Sequence, residues 1–302
     1  MKLDRRELLK VSLLAAGAGE LAGAAEPPGD SRSEEDAAPA TPVPQRPWET
    51  IDTNVHLFQW PFRRLPFDGP GELSEKLRSM SIKQAWVGSF EALLHRDLSE
   101  VNARLAKACR EAPKGLLVPL GSVNPTLPDW EEDLRRCHET FRMPGIRLYP
   151  NYHDYTLSDP RLQQLWEVAA GRGLRIQVSV AMEDRRTQHA MLQVPDTDLS
   201  PLPDLLKKNP RAKVMLLNYR PSGAVFDALA TISSISFDIA RVEATDGIAR
   251  LIRSVSAERV LFGSHAPLLI MEAALIKVYE SDLSETEIRH LLHQNAADML
   301  VA

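Results

Sequence analysis

Residues 213–239, KVMLLNYRPSGAVFDALATISSISFDI, contain the pattern that decides the predicted fold. The apolar runs at 213–218 and 234–239 are typical of buried strands, and the stretch between them at 222–231 is typical of an amphipathic helix. A strand, a helix and a second strand in this order form a unit that joins two parallel strands. The sequence therefore predicts a parallel sheet covered by helices.

The same alternation runs along the chain from residue 49 onward. The predicted strands lie at 50–56, 84–88, 116–121, 145–149, 175–180, 213–218, 234–239 and 259–263. The predicted helices lie at 71–80, 99–111, 128–141, 159–172, 202–208, 222–231, 246–254 and 268–279, with Ser99 and Asp159 as N-caps and Gly173 beyond a helix end. This alternation is typical of a closed (β/α)8 TIM barrel. An open doubly wound sheet has the same order of elements. A last predicted helix, 284–300, would pack outside the barrel.

The N-terminus differs in composition from the rest of the chain. Paired Arg5 and Arg6 precede a small, apolar run at 11–25, and Ala22-Gly23-Ala24 supplies a cleavage sequence, which together are typical of a twin-arginine signal over residues 1–25. Residues 26–47 contain almost no large apolar side chain and are predicted to be a disordered linker. The barrel domain is therefore predicted over residues 48–302.

The apolar run is shorter than the roughly twenty residues that a membrane-spanning helix needs. We therefore expect a cleaved leader, translocation by the twin-arginine machinery, and a periplasmic or otherwise exported protein without stable membrane insertion. A retained amphipathic N-terminal helix is the alternative, and Glu20 inside the run favours it.

Composition excludes several functional classes. The 36 basic and 41 acidic residues give a net charge of −5 and are interspersed, so no basic stripe indicates a nucleic-acid partner. No G-x-G-x-x-G, P-loop, G-x-S-x-G or C-x-x-C pattern occurs, which argues against nucleotide cofactors and serine-hydrolase chemistry. Cys109 and Cys137 lie in helical patterns and are expected to be buried thiols, although an oxidising compartment would permit one bridge.

Polar residues occur at the ends of the first and last predicted strands. Alternation along the first strand places Asn54 and His56 on one face, the barrel interior. His265 follows the last strand, and closure makes the first and last strands neighbours, so His56 and His265 are expected to lie close together. The C-terminal ends of barrel strands are also where TIM-barrel active sites are found.

Four segments together resemble the amidohydrolase superfamily, specifically the amidohydrolase-related (amidohydrolase 2) hydrolases. The segment 51–56 resembles that family's D-x-H-x-H opening, and 261–267 resembles its F-G-S-D-x-P segment. The runs 145–150 and 295–297 are also similar to the family. The resemblance covers roughly residues 49–300 and implies a TIM barrel that hydrolyses its substrate with a divalent metal such as zinc.

The positions that the resemblance implies as metal ligands are largely substituted. The family has two histidines on strand one, one after strand five, one after strand six and an aspartate on strand eight. Here the matching positions are Asn54, the Gln177/Ser179 stretch, Asn218 and His265, and only His56 is retained. An asparagine oxygen is a weak zinc ligand, and His265 lacks the negative charge of the aspartate, so the usual ligand set is incomplete.

Two arrangements of this site remain open from the sequence. In one, His56 and His265 are ligands of a rebuilt metal site with help from His153, His189 or Glu243. In the other, the site works without metal: His56 and His265 act as general base and polarising group, with Asn54 and Asn218 as amide donors.

Residues in other rim loops are candidates for acid–base or binding roles. Glu243 follows strand seven at a position suited to a catalytic acid. Arg147 and Tyr149 share a face of strand four, where Arg147 could hold a substrate anion or pair with Asp238 or Asp52. His153 and His189 are further substrate-binding candidates in the loops after strands four and five.

The sequence therefore predicts a hydrolase that acts on a small carbonyl compound, such as an amide, a lactone or a carboxylated ring. Two alternatives stay open: a decarboxylase of the same superfamily, and a catalytically inactive barrel that binds a ligand or partner. Fold alone does not decide between them.

Overall fold

The computed structural model describes residues 49–301. The predicted signal over 1–25 and linker over 26–47 lie outside the described residues, as does residue 48 at the start of the predicted domain. Within the described part, strands and helices alternate along the chain in the predicted order.

The strands form two parallel sheets, ordered β1-β2-β3 and β4-β5-β6-β7-β8-β9. Their bounds are Thr50–Leu57 (β1), Ile82–Ser89 (β2), Leu117–Pro119 (β3), Gly121–Ser122 (β4), Gly145–Leu148 (β5), Arg175–Ser179 (β6), Val214–Leu217 (β7), Ile235–Asp238 (β8) and Val260–Leu261 (β9). The predicted strand at 116–121 is present as β3 and β4 with Leu120 between them, so the nine segments correspond to the eight predicted barrel strands.

Backbone hydrogen bonds close the two sheets into one ring. The chain after β9 pairs with β1, because Thr53 N donates to Phe262 O at 2.9 Å and His265 N donates to Asn54 O at 2.8 Å. At the other junction Leu120 N donates to Val87 O at 2.9 Å. The prediction of a closed (β/α)8 barrel is confirmed, and the open-sheet alternative is wrong.

The bounds of the helices are Pro70–Ser79 (α1), Leu98–Glu111 (α2), Trp130–Arg135 (α3), Pro160–Gly171 (α4), Leu202–Lys208 (α5), Gly223–Ala230 (α6), Gly247–Val255 (α7), Met271–Tyr279 (α8), Glu285–Arg289 (α9) and Asn295–Val301 (α10). Seven helices, α1 to α7, lie between consecutive barrel strands, and α8, α9 and α10 follow β9. The predicted cap at Asp159 is confirmed. The predicted cap at Ser99 is wrong, because α2 begins at Leu98 and the Asp97 carboxylate accepts from Glu100 N. Within residues 49–301, no helix has both the length and the apolarity that a membrane span requires.

Apolar side chains fill the space between the strands and the helices and also both ends of the barrel. One cluster, which includes Trp86, Met215 and Leu261, packs against Ala297, Met299 and Leu300 of α10. A second, which includes Trp60, Phe90 and Met182, packs with Tyr149 at the opposite, C-terminal end. Cys109 and Cys137 are free and buried, as expected.

A glycine on β5 allows the close approach of β6. A Cβ atom on Gly145 would lie 2.6 Å from the backbone oxygen of Arg175, its partner in the parallel pairing. We therefore expect Gly145→Ala to lower the free energy of unfolding by about 1–3 kcal/mol, because the strands must move apart. Urea denaturation measures this change.

Gly171, in α4, is the matched control because its Cβ would meet no atom closer than Arg211 Nη2 at 4.0 Å. Gly171→Ala should leave stability unchanged or raise it by about 0.5–1 kcal/mol. Equal stability of both variants would contradict the packing described for β5 and β6.

Candidate functional site

Two histidines lie side by side at the C-terminal mouth of the barrel, as the sequence predicts. The rings of His56 and His265 have centroids 5.3 Å apart and meet edge to face. Both are fully buried, and Phe90 stacks on His56 with centroids 4.7 Å apart. His265 has a left-handed φ of 59°, an unusual conformation for a residue with a side chain that is often found at functional sites.

Arg147 is fully buried beneath this pair and uses every guanidinium donor within the protein. Nε donates to Gln177 Oε1 at 2.7 Å, and Nη2 donates to the Trp86 and Thr53 carbonyls at 3.2 and 3.4 Å. Nη1 donates to Val55 O at 2.9 Å and lies 3.1 Å from His56 Nε2. Its contacts are therefore carbonyl, amide and imidazole groups of the barrel.

These contacts determine which ring nitrogen of each histidine carries the proton. Arg147 can only donate, so Nε2 of His56 accepts its hydrogen bond, and the proton of the neutral ring resides on Nδ1. Nε2 of His265 lies 2.8 Å from Met182 O, which can only accept, so His265 carries its proton on Nε2. Within the described residues neither Nδ1 has a hydrogen-bond partner. The pair therefore has one free donor, on His56, and one free acceptor, on His265.

Both rings are held in the neutral form. Burial, followed by the charges of Arg147 and His265, lowers the pKa of His56 well below its usual value. Burial lowers the pKa of His265 to about 3, although the hydrogen bond to Met182 opposes the shift. At neutral pH the pair is uncharged.

Beside the histidines, two asparagines and an aspartate form a hydrogen-bonded chain. Asn54 Nδ2 donates to Asn218 Oδ1 at 2.8 Å and to Asp238 Oδ2 at 2.6 Å. Asn218 N donates to the other oxygen of Asp238 at 2.9 Å, and Asn218 has a left-handed φ of 59°. The close approach requires Gly263, since a Cβ there would lie 2.9 Å from both Asn54 Cβ and Asp238 Oδ2. Asn54 and Asn218 thus orient each other.

Two buried carboxyl groups border this network. Burial raises the pKa of Asp238 to about 7 and that of Asp52 to about 6, even though each accepts hydrogen bonds. Asp52 Oδ1 accepts from Asn54 N at 3.1 Å and from Ser264 N at 3.0 Å. Neither carboxylate forms an ion pair with Arg147 within the described chain, in contrast to the alternative considered for Arg147 from the sequence. Their charges nevertheless oppose the lowering of its pKa by burial.

Two long loops cover the mouth. The loop after β1 contributes Trp60 and Phe62, and the loop after β6 contributes Met182, Glu183 and His189. Arg63 Nη1 pairs with the buried Glu183 at 2.5 Å, and Phe62 stacks on His189 with centroids 5.4 Å apart. Long loops of this kind are commonly active-site lids.

The structure brings together only some of the residues proposed from the sequence. Asn54, His56, Arg147, Tyr149, Asn218 and His265 lie in one buried cluster. Glu243 is exposed and pairs with Arg220, His189 lies at the surface of the covering loop, and His153 Nε2 contacts Ala92 O at 2.8 Å. Arg147 is placed at the centre, but its donors are already used within the barrel.

Three groups that contact the histidines or the asparagines have no predicted role in the site: the Asp238 carboxyl, the Met182 carbonyl and the Phe90 ring. From the sequence, Asp238 is named only as an ion-pair partner of Arg147. An acidic residue at the C-terminal end of a buried barrel strand nevertheless indicates a role in the site. The Met182 carbonyl and the Phe90 ring had no recognisable signal, because both act through loops whose paths follow from tertiary packing.

The model of the Amidohydrolase family matches residues 51–301. The chain belongs to this family. No curated protein matches the sequence significantly.

Solved structures of similar fold include 2,6-dihydroxybenzoate decarboxylase from Rhizobium, with a TM-score of 0.67 at 13% identity over 84% of this chain and 98% of that one. The 5-carboxyvanillate decarboxylase of Sphingomonas paucimobilis has the same TM-score at 14% identity, over 84% of this chain and 99% of that one. A 5-carboxyvanillate decarboxylase of Novosphingobium aromaticivorans, solved with bound manganese, has a TM-score of 0.67 at 13% identity, over 85% of this chain and 98% of that one. At 13–14% identity these structures show a shared fold, and the family match supports a general hydrolase type.

The residues at the mouth of this barrel do not fit a divalent metal. Nε2 of His56 faces the Arg147 cation, and Asn54 offers only a neutral amide oxygen, a weak ligand for a metal such as zinc. Nε2 of His265 is protonated toward Met182 O. Across residues 49–301, no group of three or more His, Cys, Asp or Glu side chains is arranged to hold a metal ion. The rebuilt site with His56 and His265 as ligands therefore does not match this geometry.

The contacts of Arg147 predict a large loss of stability when they are removed. Lysine has three donors on one atom and cannot reach five separated acceptors, so Arg147→Lys leaves buried carbonyls unpaired. We expect the free energy of unfolding to fall by about 3 kcal/mol or more in urea denaturation. Arg110→Lys, on the exposed side of α2, should change it by less than about 0.5 kcal/mol. Equal effects of both substitutions would contradict the central role of Arg147.

Proposed function

We propose that this protein acts on a small carbonyl compound at the barrel mouth without a resident metal ion. The observation that supports the proposal is the neutral histidine pair, because its two free nitrogen atoms have opposite hydrogen-bonding character. A donor and an acceptor side by side are the two groups that addition of water to a carbonyl requires.

In the proposed hydrolysis, Nδ1–H of His56 donates a hydrogen bond to the substrate carbonyl oxygen. Nδ1 of His265 accepts a proton from water while the water oxygen bonds to the carbonyl carbon. The carbonyl electron pair moves to the oxygen held by His56. When the carbonyl re-forms, the bond to the amide nitrogen or lactone oxygen breaks, and His265 returns the proton to that leaving atom.

A neutral imidazole is suited to each of these roles. A neutral ring can accept a proton, and a neutral ring can also donate a hydrogen bond to a developing oxyanion, as in triosephosphate isomerase. Arg147 is a positioning residue in this proposal, since its hydrogen bond to His56 Nε2 determines which nitrogen carries the proton. Asn54 and Asn218 hold the adjacent wall of the site.

The substrate classes that we propose are amides, lactones and carboxylated rings. The decarboxylases of similar fold are named for carboxylated aromatic rings, 2,6-dihydroxybenzoate and 5-carboxyvanillate, which supports including that class. Non-oxidative decarboxylation is therefore the second reaction type. In either reaction the covering loops must open, which breaks the contact between Arg63 and Glu183.

One observation favours a second candidate, a barrel that binds its ligand without turnover. His56 and His265 are fully buried in the closed mouth, and a pKa of about 3 makes His265 a weak base in this environment. A weak base transfers protons slowly unless the substrate or lid opening changes its surroundings.

Turnover of a panel of amides, lactones, esters and hydroxybenzoates distinguishes the two candidates. We expect hydrolysis of at least one carbonyl class, unchanged after treatment with a chelator and unchanged by added zinc or manganese. His265→Ala and His56→Ala should each lower kcat/KM by about 10²- to 10⁴-fold, because each removes a proton-transfer or polarising group.

His95→Ala is the matched control, since His95 is exposed in the loop after β2 and lies outside the buried cluster. It should retain full activity. Loss of activity on chelation would contradict the metal-free proposal, and no turnover across the panel would favour the binding barrel instead.

A further inference from the structure

A cavity beside the barrel mouth contains three arginines. Its volume is about 380 Å³, and it lies between the segments after β7 and β8 and the helices α6 and α7. Arg220, Arg241 and Arg250 line it, with Glu243 as the acidic residue of the lining. The cavity wall therefore carries a net positive charge.

Arg241 is the residue that most needs explanation. Its side chain is only 6% exposed, yet it donates no hydrogen bond to any part of the chain that the structure describes. Its ion pair to Asp184 Oδ2 is long, at 3.8 Å, and burial, followed by the neighbouring charge of Arg220, lowers its pKa. A buried guanidinium with unused donors is costly unless an acceptor is supplied.

The other two arginines differ in how fully they are paired. Arg220 is half exposed and contacts Asp184 at 3.2 Å and Glu243 at 3.5 Å. Arg250 is exposed on α7, and none of its side-chain atoms forms an ion pair or hydrogen bond within residues 49–301. Donors from Arg241 and Arg250 are therefore available to a bound anion.

The rest of the lining is apolar apart from Ser254. Phe226, Val242 and Leu251 contribute side chains to the same cavity. A volume of this size matches the lower range of small-molecule sites, which are mostly apolar with a few placed polar groups. Guanidinium groups bind planar carboxylates through paired hydrogen bonds, and the apolar wall suits a ring or chain attached to the carboxylate.

The geometry points to this cavity as a binding site for an apolar organic acid, whose carboxylate contacts Arg241 and Arg250. The inference goes beyond the proposed function, because it depends on different residues and requires no turnover. Asp184, on the loop that covers the mouth, already contacts Arg220 and approaches Arg241, so two of the three arginines interact with a carboxylate in the described structure.

Titration of the purified protein with benzoate, monitored by calorimetry and by methyl NMR, tests the inference. We expect saturable binding with shifts at the Val242 and Leu251 methyl groups, and no comparable shift at Met182 beside the histidine pair. Benzamide, the neutral analogue, should bind at least about tenfold more weakly, because it lacks the charge.

Variants locate the carboxylate contact. Arg241→Met and Arg250→Ala should each weaken benzoate binding by about tenfold or more. Arg253→Ala is the control, since Arg253 lies on the same helix but pairs with Asp246 at 2.8 Å outside the cavity lining. Arg250 is exposed, so its variant keeps the test valid if Arg241→Met fails to fold.

Three outcomes would overturn the inference: no benzoate binding, equal binding of benzamide, or binding that Arg253→Ala weakens as much as Arg250→Ala. Binding of inorganic phosphate without benzoate would also overturn the assignment to organic acids. Shifts confined to Met182 would place the ligand at the histidine pair, and would leave the proposed hydrolysis to be judged by its own turnover assay.

Discussion

The Arg147 guanidinium constrains the whole interior of this barrel mouth. Its hydrogen bonds reach carbonyls on β1 and β2 and the amide of Gln177 on β6, so one side chain connects strands on different sides of the ring. A buried cation is stable only when its donors are satisfied, which explains why strand carbonyls and a neutral imidazole surround it. The contact with His56 then determines where the proton of that ring resides, and the chemistry proposed for the pair depends on this proton.

The residues that the sequence resemblance assigns to metal positions form a consistent set of hydrogen bonds. The Asn54 amide donates hydrogen bonds to Asn218 and Asp238. A histidine nitrogen that binds a metal uses its lone pair and could not donate these bonds. His265 donates to the Met182 carbonyl through Nε2. With the Arg147 cation at His56 Nε2, a divalent ion would meet electrostatic repulsion instead of a ligand. The mouth of this barrel is therefore a hydrogen-bonded network of histidine and asparagine side chains that Arg147 and Asp238 hold in place.

The fold could be predicted well because its signals are local and periodic. Apolar runs mark each strand, and the order of elements leaves few topologies once the first and last strands are paired. The short distance between His56 and His265 could be predicted from the closure of the barrel alone, because closure makes the first and last strands neighbours. The role of Arg147 could not be predicted, because a strand arginine facing inward is compatible with an anion anchor, an ion pair or a carbonyl network. Glu243 and His189 were placed near the site from chain position, but loop paths depend on packing that sequence spacing does not specify.

The protonation of the two histidines tests this account most directly. Long-range ¹H–¹⁵N spectra of ¹⁵N-labelled protein, assigned with His56→Gln and His265→Gln variants, report which ring nitrogen carries the proton. We expect His56 protonated on Nδ1 and His265 on Nε2, and both rings neutral at pH 7, because burial lowers the pKa of His56 well below its usual value and that of His265 to about 3. An imidazolium signal from either ring at pH 7, the opposite tautomers, or a metal-bound nitrogen on His56 would contradict this expectation.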